Sequence, residues 1–531
     1  MTLILVRGGT LIDPAYSTEG IVRDLWVSNG RIVSEQEGVK ADEVIDAAGM
    51  LVAPGAIEIH THIAGDPLAL ARRLCLHEID EEPLLPPSAQ IAKGYLKLGF
   101  TTLFDAAMFP GLAWRTHTDF DTMAGVDRGA FTLVSDHAAV ARAVEQRNPQ
   151  ILRAVLARLL KASGGYAVKL VNPGAGIAWE KGQKQVDLDT PSLSGSATQR
   201  DWLLLIAAGV QEMGLPHPVH IHSGDLGHNS SWMSFSKTAG ELEGLPAHLC
   251  HIQFYSYAED SRGRMISAAE NMVKLIDAHP ELTFDSGVVT LTPAYLLSAD
   301  IQAIDSLHKI LKTTWSRVSV HGEGSYGLLP VQYDAHRADS AVQWAIGLEM
   351  LLLSPDPTRL FMTCDFPNGG SFTAYPHLVS LLMDRSLRSA ALKSVHNAAS
   401  QRTGIGSIER EYSISEVIAM TSTGPARALG LLDRGHLGVG ACADIRCYRP
   451  SSDHEYMFTN PAWVMKDGQV CVRDGRFEPL PEGHTLVVQP EEGLHPQGEV
   501  DRLFESFSPD YLNQYKLSTG SLEVVPCRSR A

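Results

Sequence analysis

The sequence predicts an α/β fold: a TIM-like (β/α)8 barrel with a small β-sandwich domain contributed by both chain ends. Three observations predict it. Between residues 51 and 365, eight short apolar runs alternate with helix-like stretches, the rhythm of a parallel sheet. Eight is also the number of strands that closes such a barrel. Turn-punctuated β segments stand at both termini, and 531 residues exceed what one hydrophobic core usually supports.

The barrel strands are expected at 51–60, 100–105, 131–135, 166–171, 218–222, 248–253, 282–286 and 360–365. The long interval between the seventh and eighth should hold extra helices, including 295–311. In the terminal pieces, Asn29-Gly30 and Asp467-Gly468 each sit between short apolar runs, the strongest short hairpin signal. The expected division is 1–52 with 431–480 as the composite β-sandwich, 53–430 as the barrel and 481–531 as a C-terminal extension. That extension is rich in Pro, Glu and Gly and reads as a surface-hugging or partner-binding tail.

Composition narrows the function. The formal charge is 44 − 61 = −17, which argues against a nucleic-acid partner, since such partners demand a basic footprint. No apolar run approaches about 18 residues, and no basic-then-apolar leader opens the chain, so a cytoplasmic protein without a membrane partner is expected. The seven cysteines are scattered without a CxxC pair, which disfavours a disulfide framework or an iron–sulfur site.

The chemistry-bearing residues fall at strand ends, where barrels of this type place their sites. The first strand ends Glu58-Ile59-His60-Thr61-His62; histidines two apart face the same side of a strand and can reach one ion. The fourth carries Lys169 as the one charge in Tyr166-Ala167-Val168-Lys169-Leu170-Val171. A strand-end lysine can snorkel, but burial favours the neutral, nucleophilic amine, which can add carbon dioxide to give a metal-bridging carbamate. The fifth ends His220-Ile221-His222; the two share a face, and His222 is preferred because it lies nearer the mouth. The sixth offers His251, and the eighth ends on Asp365 after Phe361-Met362-Thr363-Cys364, a carboxylate in need of a partner. Each alone is weak; the conjunction points to two divalent cations. Zinc is favoured by the imidazole-rich shell, with manganese, iron or cobalt compatible.

This frame resembles the amidohydrolase superfamily, together with Thr423-Gly424-Pro425-Ala426-Arg427 and Gly438-Val439-Gly440-Ala441-Cys442-Ala443-Asp444. More narrowly, Val168-Lys169-Leu170-Val171-Asn172-Pro173-Gly174, His222-Ser223-Gly224-Asp225-Leu226-Gly227-His228 and His251-Ile252-Gln253-Phe254-Tyr255-Ser256-Tyr257 resemble the A subunits of formylmethanofuran dehydrogenases and of their bacterial formyltransferase/hydrolase counterparts. The resemblance implies metal ligation by His60, His62, carboxylated Lys169, His222, His251 and Asp365. It also implies hydrolysis of an N-formyl furan-amine carrier to formate and free amine, and assembly with the other subunits of such a complex. Ser223-Gly224-Asp225 departs from the Asn-rich stretch of methanogen members and points to the bacterial branch. Asp365 is then the proton carrier, with His228, Asn172 and Asn368 as candidate substrate contacts. The carrier's acidic tail would need a basic path, for which Arg385, Arg388, Lys393 and Arg402 are candidates. Other readings are the reverse, formate-condensing direction, a hydantoinase- or dihydroorotase-like cyclic amidohydrolase, and a metal-free scaffold.

Overall fold

In the computed structural model the described residues are 2–36, 38–74, 85–183, 186–191, 195–493, 497–508, 511 and 521–528; Cys75 lies outside them. Eight parallel strands form the central sheet: β1 (Ala56–Thr61), β2 (Phe100–Met108), β3 (Asp127–Leu133), β4 (Ala167–Val171), β5 (Val219–His222), β6 (Ala247–Leu249), β7 (Leu282–Asp285) and β8 (Leu360–Phe361). Nearly every residue on them is buried, as expected where helices cover one face and the barrel interior the other. Hydrogen-bonded ladders join each strand to the next from β1 to β8.

The two edges meet through individual bonds. His62 N–H donates to Phe366 O at 2.7 Å, Thr363 Oγ1 donates to His60 O at 2.7 Å, and Tyr375 Oη donates to Glu58 Oε2 at 2.5 Å. Burial pushes the Glu58 carboxyl up to about 8, against the lowering pull of the Tyr375 hydrogen bond. Register then decides what shares a level. Leu133, Lys169, His220 and His248 lie opposite one another across β3 to β6, so one layer of the barrel interior is polar where branched apolar residues usually dominate.

Both chain ends join a second, nine-stranded sheet. Its central seam pairs Leu51–Pro54 antiparallel with Ile445–Tyr448. The hairpin turns predicted at Asn29-Gly30 and Asp467-Gly468 are present. Both central residues of each have positive φ, at 51°, 74°, 51° and 77°, as a primed turn requires.

Several elements differ from expectation. The run 51–60 divides, Leu51–Pro54 joining the small sheet and Ala56–Thr61 the barrel, and the sixth and eighth strands end at Leu249 and Phe361, which leaves His251 and Asp365 on the segments that follow. The segment 295–311 is not wholly helical: Pro293–Ser298 is a strand pairing with Gly324–Gln332, and only Ile301–Leu311 is helix. The run Tyr295-Leu296-Leu297 is buried on both faces, against the helix and against the cavity below, so its apolar continuity reflects a covered strand. The chain after Leu480 does not merely hug the surface. Thr485–Val487 extends the central sheet parallel to the start of β3, because Leu486 and Val488 need the burial they find there.

Candidate metal centre

His60, Lys169, His222, His251 and Asp365 converge from β1, β4, β5 and the segments following β6 and β8, all buried, on one cavity that His62 and Asn368 also line. Asp365 Oδ1 lies 3.2 Å from Nε2 of both His60 and His62. The His222 and His251 rings are 4.6 Å apart and those of His60 and His251 5.2 Å. His222 stands at the cavity wall, whereas His220 lies one level deeper, with its Nε2 3.1 Å from His60 Nδ1. Lys169 Nζ donates to Cys250 Sγ at 3.1 Å and forms no ion pair with any carboxylate among the described residues.

Backbone strain marks the same place. His251, Asp365 and Asn172 have positive φ, at 39°, 49° and 38°, uncommon for residues other than glycine and concentrated at functional sites. Gly287 makes room for this: a Cβ there would come within 2.5 Å of the His251 Cβ.

The donor set fits cations. His251 Nδ1 and Asp365 Oδ1 are buried without a hydrogen-bond partner, although Oδ1 has two imidazole nitrogens close by. Ligand atoms of His60, His251 and Asp365 all lie within 4.8 Å of one another. Burial alone would lower the His60 imidazole, yet the Asp365 and Asp285 carboxylates hold it well above its ordinary value. Burial likewise opposes ionisation of Asp365, but His60 holds its carboxyl well below the usual range. The pocket thus stabilises positive charge. His222 and His251, both lowered mainly by burial, stay neutral as ligands must.

Two carboxylates missed by sequence reasoning brace these residues. Asp285, at the end of β7, accepts from His60 Nδ1 at 3.1 Å, His248 Nε2 at 3.0 Å and the His251 backbone N–H at 2.6 Å. Leu282-Thr283-Phe284-Asp285 carries the same signal that drew attention to Asp365, an apolar run ending in a carboxylate. Asp300 caps the helix Ile301–Leu311 and takes His222 Nε2 at 3.2 Å and Asn172 Nδ2 at 3.2 Å; no local pattern announces it. Asn172 Oδ1 also accepts from Gln199 Nε2 at 2.6 Å. Asn368 Nδ2 donates to Asp365 Oδ2 at 2.9 Å, and its Oδ1 takes the Leu297 N–H at 2.6 Å.

The inner cavity, about 110 Å³, is roofed by apolar side chains of the insertion, among them Leu296, Leu297, Ile304 and Leu307. It adjoins an outer one of about 970 Å³, where His228 lies with Arg264, Arg337 and Arg402. Of the four cations suggested as a basic path, only Arg402 lines it. Arg388 is buried, donating to the carbonyls of Leu381, Ile408 and Arg410, and Arg385 pairs with Glu409. No described helix is long and apolar enough to cross a membrane.

Residues 43–470 match the amidohydrolase family. Over 99% of its length the chain is 33% identical to the A subunit of the formyltransferase/hydrolase complex Fhc from Methylorubrum extorquens, of which it covers 100%. It is 31% identical to the protein FwdA of Methanocaldococcus jannaschii, over 93% of this chain and 92% of that one. The crystal structure of the Methylorubrum extorquens complex with methylofuran contains a chain that superimposes with a TM-score of 0.93, at 32% identity, covering 99% of this chain and 100% of that one. With a barrel of this topology and a ligand-rich cavity at its strand ends, the chain belongs to the amidohydrolase family, the metal-dependent hydrolases of carbon–nitrogen bonds.

Proposed function

We propose that this protein hydrolyses the N-formyl amide of a furan-amine carrier of the methylofuran or methanofuran type, giving formate and the free amine, within a formyltransferase/hydrolase-type complex. The observation that carries the reading is the convergence of His60, His62, Lys169, His222, His251 and Asp365 on one cavity, in a chain similar over its full length to the Fhc protein. These residues would hold two divalent ions, zinc by preference, with Lys169 as a bridging carbamate. The two ions, when bound, supply Lewis-acid polarisation of the amide carbonyl and activation of water. A lysine carbamate suits this position: its Nζ keeps one hydrogen for Cys250, and it replaces a buried ammonium lacking a carboxylate partner with an anion shared by cations.

The protein's own groups do the rest. Asp365 takes the proton released on attack and returns it to the departing amine. Asn368 fixes the Asp365 carboxylate, and Asn172 fixes Asp300 behind His222. The apolar roof excludes bulk water, and His228 faces the carrier in the outer cavity. The same path run backwards condenses formate with the amine.

A cyclic-ureide hydrolase with an anionic substrate is disfavoured, because the inner cavity has no arginine and no lysine besides Lys169 among its described lining residues. The deciding assay uses the protein with its partner subunits and compares formate release from the formyl carrier with ring opening of hydantoin and dihydroorotate. Turnover of the carrier alone is expected, and ring opening without formate release would refute the proposal. Lys169→Ala should lower bound metal from two ions per chain to one or none, read by elemental analysis; two retained ions would exclude the bridging role.

A further inference from the structure

Beneath the cavity runs a line of buried imidazoles, and its hydrogen-bond directions can be deduced from one end. His217 Nδ1 lies 2.6 Å from the carbonyl oxygen of Ala428, on the helix Gly424–Leu429. A carbonyl only accepts, so His217 Nδ1 carries hydrogen. Complete burial lowers His217 to about 3, which keeps it neutral, and its Nε2 is therefore a lone pair. That lone pair faces His220 Nδ1 at 3.1 Å, so Nδ1 of His220 carries hydrogen in turn. His220, fully buried, then presents its Nε2 lone pair to His60 Nδ1 at 3.1 Å. On its other side the same His60 nitrogen meets Asp285 Oδ2 at 3.1 Å. Two acceptors thus share one position on His60, and both require a hydrogen on Nδ1. In the neutral ring the opposite nitrogen, Nε2, then carries its lone pair towards Asp365 Oδ1, 3.2 Å away. Two such acceptors call for positive charge between them, a proton on Nε2 while no ion is bound or the ion in its place.

We infer that Asp285 and the His217–His220 pair, anchored on the Ala428 carbonyl, form a positioning relay that locks His60 as the Nδ1–H tautomer and aims its Nε2 lone pair at the metal pocket. The three residues act through His60 and touch no substrate. The inference rests on His60 being a metal ligand, as proposed above. The relay also explains the polar layer of the barrel interior: the imidazoles there transmit one direction of hydrogen bonding from a main-chain carbonyl to a ligand. It further argues against a third cation among His60, His220, Cys250 and Asp285, since the space between their nitrogens and oxygens is already bridged by hydrogen.

The test is metal affinity of the apo protein, measured by competition with a chromophoric chelator alongside its melting temperature. His217→Phe keeps the stacking on Phe131, whose ring lies 5.2 Å away, but ends the relay. It should bind the tighter ion about 10–100-fold more weakly, the range for loss of a group that orients a ligand. His217→Gln offers an N–H to Ala428 and an oxygen to His220, and should recover affinity to within about threefold, as orientation by hydrogen bonding requires. Asp285→Asn, whose NH2 must oppose either the His60 and His248 donors or the His251 backbone N–H, should lose more than His217→Phe. Wild-type affinity in folded His217→Phe overturns the relay; should that variant fail to fold, wild-type affinity in Asp285→Asn does so. Failure of the unaltered protein to bind two ions would instead overturn the reading of the site.

Discussion

Asp365→Asn is expected to reduce formate release by roughly 10²–10⁴-fold, the range for loss of a positioned proton carrier, while the protein stays folded. The two oxygens of Asp365 have different neighbours, and neither tolerates an amide. Oδ1 faces the Nε2 atoms of His60 and His62, the direction in which a cation would sit, and Oδ2 receives the Asn368 N–H. An asparagine must turn its NH2 either into the cation pocket or against another donor. Folding is independent of that carboxylate, because the segment is held by the Asp365 N–H to Thr363 Oγ1 and the Cys364 N–H to Tyr375 Oη. Asn368→Ala removes the hydrogen bond to the Asp365 carboxylate, worth about 1.5–3 kcal/mol, along with the bond to the Leu297 N–H. It should therefore slow turnover at least about tenfold, well short of the Asp365 loss. Formate assays beside circular dichroism and metal analysis separate these outcomes. Turnover of Asp365→Asn within tenfold of the unaltered protein would end the assignment of Asp365 as proton carrier.

How much of this was legible in the sequence depended on whether a residue's signal is local. Strand alternation put His60 beside His62, and the lone charge in 166–171 singled out Lys169, because an ammonium in an apolar run is disfavoured unless it snorkels to solvent or finds a partner. Alternation could not separate His220 from His222; register does so, setting His220 level with Lys169 and His222 level with Val171 at the mouth. Asp300 was invisible because it belongs to an insertion, which sequence periodicity treats as connecting chain. In the sequence Asn172 and Asn368 are candidate substrate contacts. What they bond to depends on Asp300 and Asp365, 128 and 3 residues away, and only the first of those distances defeats inspection. The tail strand at Thr485–Val487 was hidden for a different reason: its run is short, and the edge it joins exists only because β4 begins opposite Phe131, leaving Arg128 and Gly129 near the start of β3 to pair with the tail.

Lys466→Met is expected to destabilise the fold by about 3–5 kcal/mol, the cost of breaking a buried ion pair by removing one partner. Lys466 is fully buried in the small sheet, and its Nζ lies 3.1 Å from Asp127 at the start of β3, 3.1 Å from Asp444 and 2.8 Å from Asp467. Arg434 joins the same Asp127 at 2.8 Å and reaches Glu523 of the tail at 2.7 Å. This one node therefore ties barrel, small sheet and tail together. Methionine fills the volume but leaves Asp127, Asp444 and Asp467 without the ammonium they share, with Arg434 still paired to Asp127. The pH dependence follows from Asp127. Burial opposes its charge, yet Lys466 and Arg434 hold its carboxyl well below the usual range. A depressed folded-state value means stability that is complete above the ordinary carboxylate value, about 4, and is lost as pH falls further. Asp444, pushed up to about 6 by burial, has the opposite sign and loses its contribution as pH rises through that value. Urea unfolding of both proteins should show the full difference at pH 7, narrowing as pH drops below about 4, where protonated carboxyls no longer need the ammonium. Equal stability at pH 7 would mean that Arg434 alone neutralises the node and that Lys466 contributes nothing to joining the sheets.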